Sequence, residues 1–219
     1  MVDTKFANGK NPISQMVCFV FDWDDTLLPT TYLQSKGYFG TKPLQPVSEI
    51  DQQYLNILAL SIQLLLQTCM AWGSVRIVTN GQDGWVQDSA TQFYPTLLQL
   101  LEQISVISAR SRYEKMYPND PWQWKYQTFL EVLAAEPDMH VIAFGDAPHD
   151  RTAMQSAITT ACTERGLGEL PKVFELSSDP DIITVITQLQ MIYADILVLV
   201  YTPDAIDLYL PPILNSVQK

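Results

Sequence analysis

The stretch Met16-Val-Cys-Phe-Val-Phe-Asp22-Trp-Asp24-Asp25-Thr26 decides the fold. Its first six residues are apolar, uncharged and rich in β-branched and aromatic side chains, which is typical of a strand buried on both faces. Three carboxylates follow immediately, so they lie at the carboxyl end of this strand. Ligands bind at that end of an open parallel α/β sheet. The stretch therefore predicts a buried parallel strand that ends in an acidic site.

Asp22 and Asp24 are two residues apart, which in a strand places both carboxylates on one side. Two like charges at that separation are costly unless a metal ion or a proton lies between them. Mg²⁺ prefers oxygen ligands and is the natural partner. The alternative is a core strand that runs into an ordinary acidic loop.

Length and composition indicate a single globular domain. The 219 residues are enough for one α/β domain with a real core, and the hydrophobic share of 47% argues against disorder. We predict a flexible leader over residues 1–15 and one domain over 16–219. The net charge of −11 argues against nucleic acid and against an anionic membrane surface as partners.

The cysteines and the polar N-terminal segment favour a soluble, cytoplasmic protein. Cys18, Cys69 and Cys162 are far apart and odd in number, which is typical of reduced core residues. The N-terminal segment lacks the pattern of a secretion signal. Asp195 and Asp204 bracket the longest apolar candidate, so we expect no membrane span and no membrane insertion.

Strands and helices alternate along the chain. Besides the first strand, the predicted strands cover 75–79, 104–109, 141–145 and 172–176. The predicted helices cover 48–73, 82–93 and 95–103, and further helices begin near 122, 151 and 181. Residues 196–201 fit either a continuation of the last helix, which we prefer, or a strand. This alternation predicts a doubly wound, mainly parallel sheet with helices on both faces.

Polar side chains follow the second and third predicted strands. Thr79 and Asn80, ahead of Gly81, end the second strand with a hydroxyl, an amide and a free backbone N–H, which can bind a phosphate oxygen. An ordinary strand-to-turn junction is the alternative. Arg110 and Arg112 follow the third strand and are either an anion clamp or part of a solvated loop.

Lys125 and a second acidic group complete the set of candidates. A lysine in the first helical turn is disfavoured by the helix dipole, so Lys125 hints at an anionic partner, although its stem can also lie over a neighbouring tryptophan. Gly145 ends the fourth strand and allows close approach of the backbone. Asp146 and Asp150 follow it, and across a turn they can converge on one ion.

These residues resemble the four motifs of the haloacid dehalogenase (HAD) superfamily, in the same order. The matching residues are Asp22-x-Asp24-x-Thr26, Thr79, Lys125 and Gly145-Asp-x-x-x-Asp150. Lys115 competes for the third motif, but Lys125 has the more usual distance from the Gly-Asp motif. The strings Trp-Asp-Asp-Thr-Leu-Leu-Pro-Thr, Ile-Ser-Ala-Arg-Ser and Trp-Lys-Tyr resemble a poorly characterised subgroup of HAD-like proteins.

The resemblance implies a phosphomonoester hydrolase that works through an aspartyl-phosphate. Asp22 would attack phosphorus, and Asp24 would protonate the leaving oxygen and then deprotonate the hydrolytic water. Thr79 and Lys125 would hold the phosphoryl group, with Asn80 and Arg110 as further substrate contacts. Halogen-removing members of the family lack the second acid, so a phosphatase or phosphotransferase is favoured.

The resemblance also implies a Mg²⁺ site. Its ligands would be Asp22, the backbone carbonyl of Asp24 and Asp146, with Asp150 as a direct or indirect helper. Asp25 belongs to the motif's loop, and we assign it no chemistry.

The intervals in which this family inserts caps leave no room for a large lid. An open site favours a phosphorylated protein or peptide as substrate, with phosphotyrosine ranked no lower than phosphoserine. Trp23, Trp85 and Tyr32 are candidates for an aromatic entrance. The alternatives are a small-metabolite phosphatase or phosphotransferase of the same fold and a non-catalytic HAD-like binding module. The oligomeric state is left open.

Overall fold

The computed structural model describes residues 17–40, 44–135, 140–165, 172–202 and 206–210. The predicted leader, residues 1–15, lies outside these ranges. The strands are β1 (Val17–Phe21), β2 (Ser74–Thr79), β3 (Ser105–Ser108), β4 (His140–Gly145), β5 (Lys172–Glu175) and β6 (Ile206–Tyr209). They form one sheet in the order β3-β2-β1-β4-β5-β6, and every pairing is parallel.

Helices occupy the connections between the strands. They are α1 (Thr30–Ser35), α2 (Glu49–Trp72), α3 (Trp85–Phe93), α4 (Leu98–Leu101), α5 (Ala109–Tyr113), α6 (Pro121–Ala135), α7 (Pro148–Arg165) and α8 (Ile182–Tyr201). A 3₁₀ turn, Pro95–Leu97, leads into α4. Within the described ranges no cap domain interrupts the chain, which agrees with the prediction of an open architecture.

Alternate residues of β1 enter two cores on opposite faces of the sheet. Phe19 and Phe21 pack with buried residues of α2, α3 and α8, whereas Cys18 and Val20 pack with those of α6 and α7. Side chains alternate between faces along a strand, so a strand covered on both sides needs an uninterrupted apolar run. The doubly wound α/β fold is therefore confirmed, and its strand order is Rossmann-like.

The long helix α2 begins where the sequence predicts. Ser48 is its N-cap, and the Ser48 hydroxyl accepts a hydrogen bond from the Asp51 backbone N–H at 3.1 Å. Ile50 and Ile57 recur at helical spacing with the core leucines but are exposed. The buried stripe consists of Leu55, Leu58, Ile62, Leu65 and Cys69. Their three- and four-residue spacing turns the two isoleucines to the outer side.

The C-terminal part of the chain confirms one prediction and contains one strand that the sequence analysis did not predict. Residues 196–201 continue α8, as preferred. The edge strand β6 was not predicted, although Ile206-Asp-Leu-Tyr209 alternates as strands do. It is tied to the fold by Arg151, whose guanidinium donates to Asp207 Oδ1 at 2.6 Å and to Glu175 Oε2 at 3.1 Å. Four residues are too few for periodicity to identify a strand.

Two helices were not anticipated by the expectation that the chain contains no membrane span. By length and composition, α2 and α8 are both apolar enough to cross a membrane. Core helices of soluble proteins pass the same test. The most apolar 18-residue window is 39% buried inside the protein in α2 and 44% buried in α8. Cys18 and Cys69 are buried, as predicted, and the side chain of Cys162 lies outside the described residues.

Candidate active site

The predicted acidic residues lie where the strand order changes direction. In a sheet of this order the chain leaves β1 towards β2 and returns to its other side with β4, and a crevice opens at the carboxyl ends of β1 and β4. Asp22 follows β1 directly, and its backbone N–H donates to Phe144 O of β4 at 2.9 Å. Asp146 follows β4 directly. Both residues therefore border the same crevice.

Three carboxylates converge there. Oxygen atoms of Asp22, Asp146 and Asp150 lie within 4.8 Å of one another. Asp22 and Asp150 are only 7% and 5% exposed. Gly145 makes the close approach possible, because a Cβ at this position would lie 3.3 Å from Asp150 Cβ. The predicted convergence of the acids that follow β1 and β4 is confirmed.

Lys125 reaches this cluster from α6. Its side chain is 1% exposed, and its Nζ lies 2.8 Å from Asp22 Oδ1 and 3.1 Å from Asp150 Oδ2. The same ammonium donates to Val78 O at 2.8 Å. The alternative of a surface lysine lying over a tryptophan is therefore wrong. Lys115, its competitor for the third motif, is exposed.

Burial changes the pKa values of Asp22, Asp146 and Lys125. It raises the pKa of Asp22 to about 7, against the opposing effect of Lys125. Burial, together with the charges of Asp22 and Asp150, raises the pKa of Asp146 to about 8. Burial by itself lowers the pKa of Lys125, but the two neighbouring carboxylates outweigh it and raise the pKa. Without a metal ion, Asp22 and Asp146 thus take up and release protons near neutral pH.

The donor set fits a divalent metal ion. Asp150 Oδ1 is buried and accepts no hydrogen bond from the described residues, and His149 Nε2 lies 3.4 Å from it. Three carboxylates and one ammonium sum to −2, the charge that a divalent cation neutralises. The buried aspartates can therefore hold a metal ion.

Asp24 is held apart from the three clustered carboxylates. Its Oδ1 accepts hydrogen bonds from Thr30 Oγ1 at 2.7 Å and from Trp85 Nε1 at 2.9 Å. Its Oδ2 accepts one from Thr79 Oγ1 at 3.1 Å. Burial and the charge of Asp22 raise the pKa of Asp24, while these three donors lower it. Two carboxyl groups two residues apart thus have different surroundings, as two different chemical roles require.

The loop after β2 is braced by its own polar groups. The Gly81 N–H donates to Thr79 Oγ1 at 2.9 Å, and Ser108 Oγ donates to Gly81 O at 2.6 Å. A Cβ on Gly81 would lie 2.3 Å from Trp85 Cδ1, so only glycine allows the indole to pack here. Asn80 Oδ1 is buried and has no hydrogen-bond partner in the part of the chain that the structure describes. Thr79 is placed at the site, and its contact with a phosphate stays a prediction.

The side chain of Arg110 contacts two neighbouring side chains, those of Glu114 and Trp124. Its Nε and Nη2 donate to Glu114 Oε1 at 3.0 and 2.8 Å, and its guanidinium carbon lies 5.7 Å from the centre of the Trp124 ring. These contacts hold Arg110 against α6, which carries Lys125. Binding of substrate by Arg110 stays a prediction.

The predicted aromatic entrance is mostly wrong. Trp23 is fully buried and packs edge-on against Tyr94. The Tyr32 side chain is partly buried, and its hydroxyl donates to Asp51 Oδ1 at 2.9 Å. Trp85 alone among the three predicted residues borders a groove. An indole that follows a buried strand directly is drawn into the core, because no turn separates it from the sheet.

Sequence reasoning missed two residues that hold Asp24. Thr30 lies six residues beyond Asp24, and its place directly after the first motif is a signal that could have been used. Trp85 is 61 residues away, and nothing local connects it to Asp24. Asp25 has the structural place expected of it, since its carboxylate accepts a hydrogen bond from the Thr31 backbone N–H at 2.9 Å.

Comparison with known proteins adds no family to this description, because no protein-family model, no curated protein and no solved structure matches the chain.

Proposed function

We propose that the protein is a Mg²⁺-dependent phosphomonoester hydrolase of the HAD type that works through an aspartyl-phosphate. One observation carries the proposal: Asp22 and Asp24, two residues apart, lie in two different hydrogen-bond environments. Asp22 is bonded to a buried lysine within a group of metal-binding carboxylates. Asp24 is bonded to hydroxyl and indole donors. Such a division suits a nucleophile and an acid-base group.

The first chemical step forms the covalent intermediate. A carboxylate oxygen of Asp22 forms a bond to phosphorus while the bond from phosphorus to the ester oxygen breaks. The leaving oxygen keeps the electron pair of that bond and takes a proton from Asp24. Lys125 Nζ, next to Asp22, offsets the negative charge on the phosphoryl oxygens in the transition state. Asp22 Oδ1 already accepts from Lys125 and from the Trp23 N–H, so Oδ2 is the attacking oxygen.

The second step restores the enzyme. Asp24, now a carboxylate, takes a proton from water, and the water oxygen forms a bond to phosphorus. The bond between phosphorus and Asp22 breaks, its electrons return to the carboxylate, and inorganic phosphate leaves. Thr79 Oγ1 orients Asp24 through its hydrogen bond to Oδ2, so the same carboxyl group serves in both steps.

The residues that would hold Mg²⁺ are Asp22, Asp146, Asp150 and the backbone carbonyl of Asp24. All offer oxygen, which is the ligand atom that Mg²⁺ prefers. Bound Mg²⁺ would neutralise charge between the nucleophile and the phosphoryl oxygens. The absence of a cap domain from the described ranges supports a bulky substrate, and we propose a phosphorylated protein or peptide, with phosphotyrosine and phosphoserine both in scope.

The test is turnover of p-nitrophenyl phosphate with Mg²⁺, compared with turnover in EDTA. Asp22→Asn should abolish turnover, because an amide cannot form the intermediate. Asp195→Asn, an exposed substitution on α8, is the matched control and should keep full activity. Acid-quenched wild-type protein should carry one phosphoryl group on the peptide that contains Asp22. Turnover retained by Asp22→Asn would refute the mechanism.

Substrate class needs a second comparison, with phosphopeptides and sugar phosphates assayed side by side. We expect higher kcat/KM for the peptides. A strong preference for a small metabolite would leave the mechanism intact and overturn the substrate class. Binding of phosphopeptides without turnover would instead identify a non-catalytic module.

A further inference from the structure

A groove of about 300 Å³ begins at Gly81, two residues beyond Thr79. It is lined by Gly81, Gln82, Asp83, Trp85 and Asp88. This volume is at the lower end of the range for small-molecule sites. The groove is therefore large enough for one side chain or a small leaving group.

Trp85 connects this groove to the proposed acid-base residue. Its ring forms part of the groove wall, and its Nε1 donates to Asp24 Oδ1 at 2.9 Å. In the proposed reaction Asp24 protonates the leaving oxygen, so the leaving group departs on the side that Asp24 faces. The groove is thus placed to receive the part of the substrate attached to that oxygen.

The residues that line the groove favour a positively charged ligand. Asp83 and Asp88 are exposed carboxylates, and no basic residue lines the groove. Among the described residues, neither carboxylate forms an ion pair. The loop that carries Asp83 is fixed, because the Asp83 N–H donates to Ser111 Oγ at 2.9 Å. An indole face and two unpaired carboxylates together favour a cation.

We propose that this groove is the leaving-group subsite and that it selects phosphoesters whose leaving group carries a positive charge. In a phosphopeptide this charge is an arginine or lysine next to the phosphorylated residue. The inference rests on the proposed phosphatase function and narrows its substrate class. In the proposed mechanism Lys125 offsets the charge of the phosphoryl group, so the charge of the groove acts on the leaving group.

The experiment compares three phosphopeptides that differ only in Arg, Gln or Glu beside the phosphorylated residue. For wild-type protein we expect kcat/KM to be about three- to tenfold higher for the Arg peptide than for the Gln peptide, the size of one or two exposed ion pairs. The Glu peptide should be slowest. The difference should lie mainly in KM, since the contact exists before and during the reaction, and it should shrink at high salt.

Two variants separate the groove from the reaction centre. In the double variant Asp83→Asn, Asp88→Asn the ratio of Arg to Gln peptide should fall towards one, and measuring a ratio cancels any general loss of activity. Trp85→Phe keeps an aromatic wall but loses the hydrogen bond to Asp24. It should lower kcat for all three peptides by a similar factor while keeping most of the Arg preference. Asp195→Asn should match wild type throughout.

The outcomes distinguish the inference from the function that it rests on. Turnover with equal kcat/KM for the Arg and Gln peptides would overturn the inference and leave the phosphatase in place. An Arg preference that survives in the double variant would overturn it as well. Absence of turnover for every peptide and for p-nitrophenyl phosphate would overturn the function and the inference together.

Discussion

Lys125→Met removes the ammonium group that contacts Asp22 and Asp150 and tests how the site is stabilised. Methionine has a similar length and keeps the packing of α6 against the sheet. It loses the ion pairs to Asp22 and Asp150 and the hydrogen bond to Val78 O. Removing one partner of a buried ion pair costs about 3–5 kcal/mol, because the other charge stays buried. We therefore expect a loss of this size in the free energy of unfolding at about pH 8.5 in EDTA.

The loss should depend on pH. Lys125 lowers the pKa of Asp22, which burial otherwise raises and which stands at about 7 in the wild type. Without the lysine this pKa is higher still, so above neutral pH the folded variant binds more protons than the folded wild type. Stability then falls faster with rising pH in the variant. The difference in the free energy of unfolding between the variant and the wild type therefore grows by at most about 1.4 kcal/mol per pH unit. Near pH 6 this difference is smaller, because the Asp22 carboxyl group of the variant is then protonated.

Urea denaturation followed by tryptophan fluorescence measures both quantities. Lys115→Met is the control, because Lys115 is exposed and its loss should change the free energy of unfolding by less than about 0.5 kcal/mol. A loss below about 1 kcal/mol for Lys125→Met at high pH would refute the argument. So would a loss that stays the same between about pH 6 and about pH 8.5.

Two further predictions concern the metal and the backbone. Burial holds the pKa of Asp22 at about 7 and that of Asp146 at about 8. The proposed Mg²⁺ would compete with protons for these two carboxylates, so we expect it to bind more weakly as pH falls from about 8.5 to about 6 and to release protons on binding. Calorimetry in two buffers of different ionisation enthalpy measures this release. Gly73→Ala should destabilise the fold by about 2 kcal/mol or more, because its Cβ would lie 1.9 Å from Val17 O, and urea denaturation measures the loss.

Each of these two predictions has an outcome that would contradict it. Mg²⁺ affinity that is unchanged over that pH range would mean that the clustered carboxyl groups are not ligands. A Gly73→Ala variant as stable as wild type would mean that α2 can shift away from β1 at no cost. Gly84→Ala serves for comparison, since its Cβ would meet only Asp88 Oδ2, at 3.9 Å, and its cost would come from a φ of +87°.

Much of the architecture could be predicted from the sequence because it depends on short-range patterns. The uncharged run 17–21 identifies a doubly covered strand, and the spacing from Ser48 to Asp51 identifies the start of α2. The same reasoning placed Asp22 and Asp146 at strand ends. Parallel strands present these ends on one edge of the sheet, so their convergence follows from the fold class.

Tertiary structure decided which side chains meet across long separations in the chain. The indole of Trp85 reaches Asp24 from the first residue of α3, and no periodicity encodes that contact. Trp23 is drawn into the core by its place next to the sheet. Local sequence fixes which residues end each strand, since backbone propensity and side-chain period act over a few residues. Which strand ends become neighbours depends on the packing of the whole chain, and this packing determines the hydrogen bonds and the burial that set the chemistry of the site.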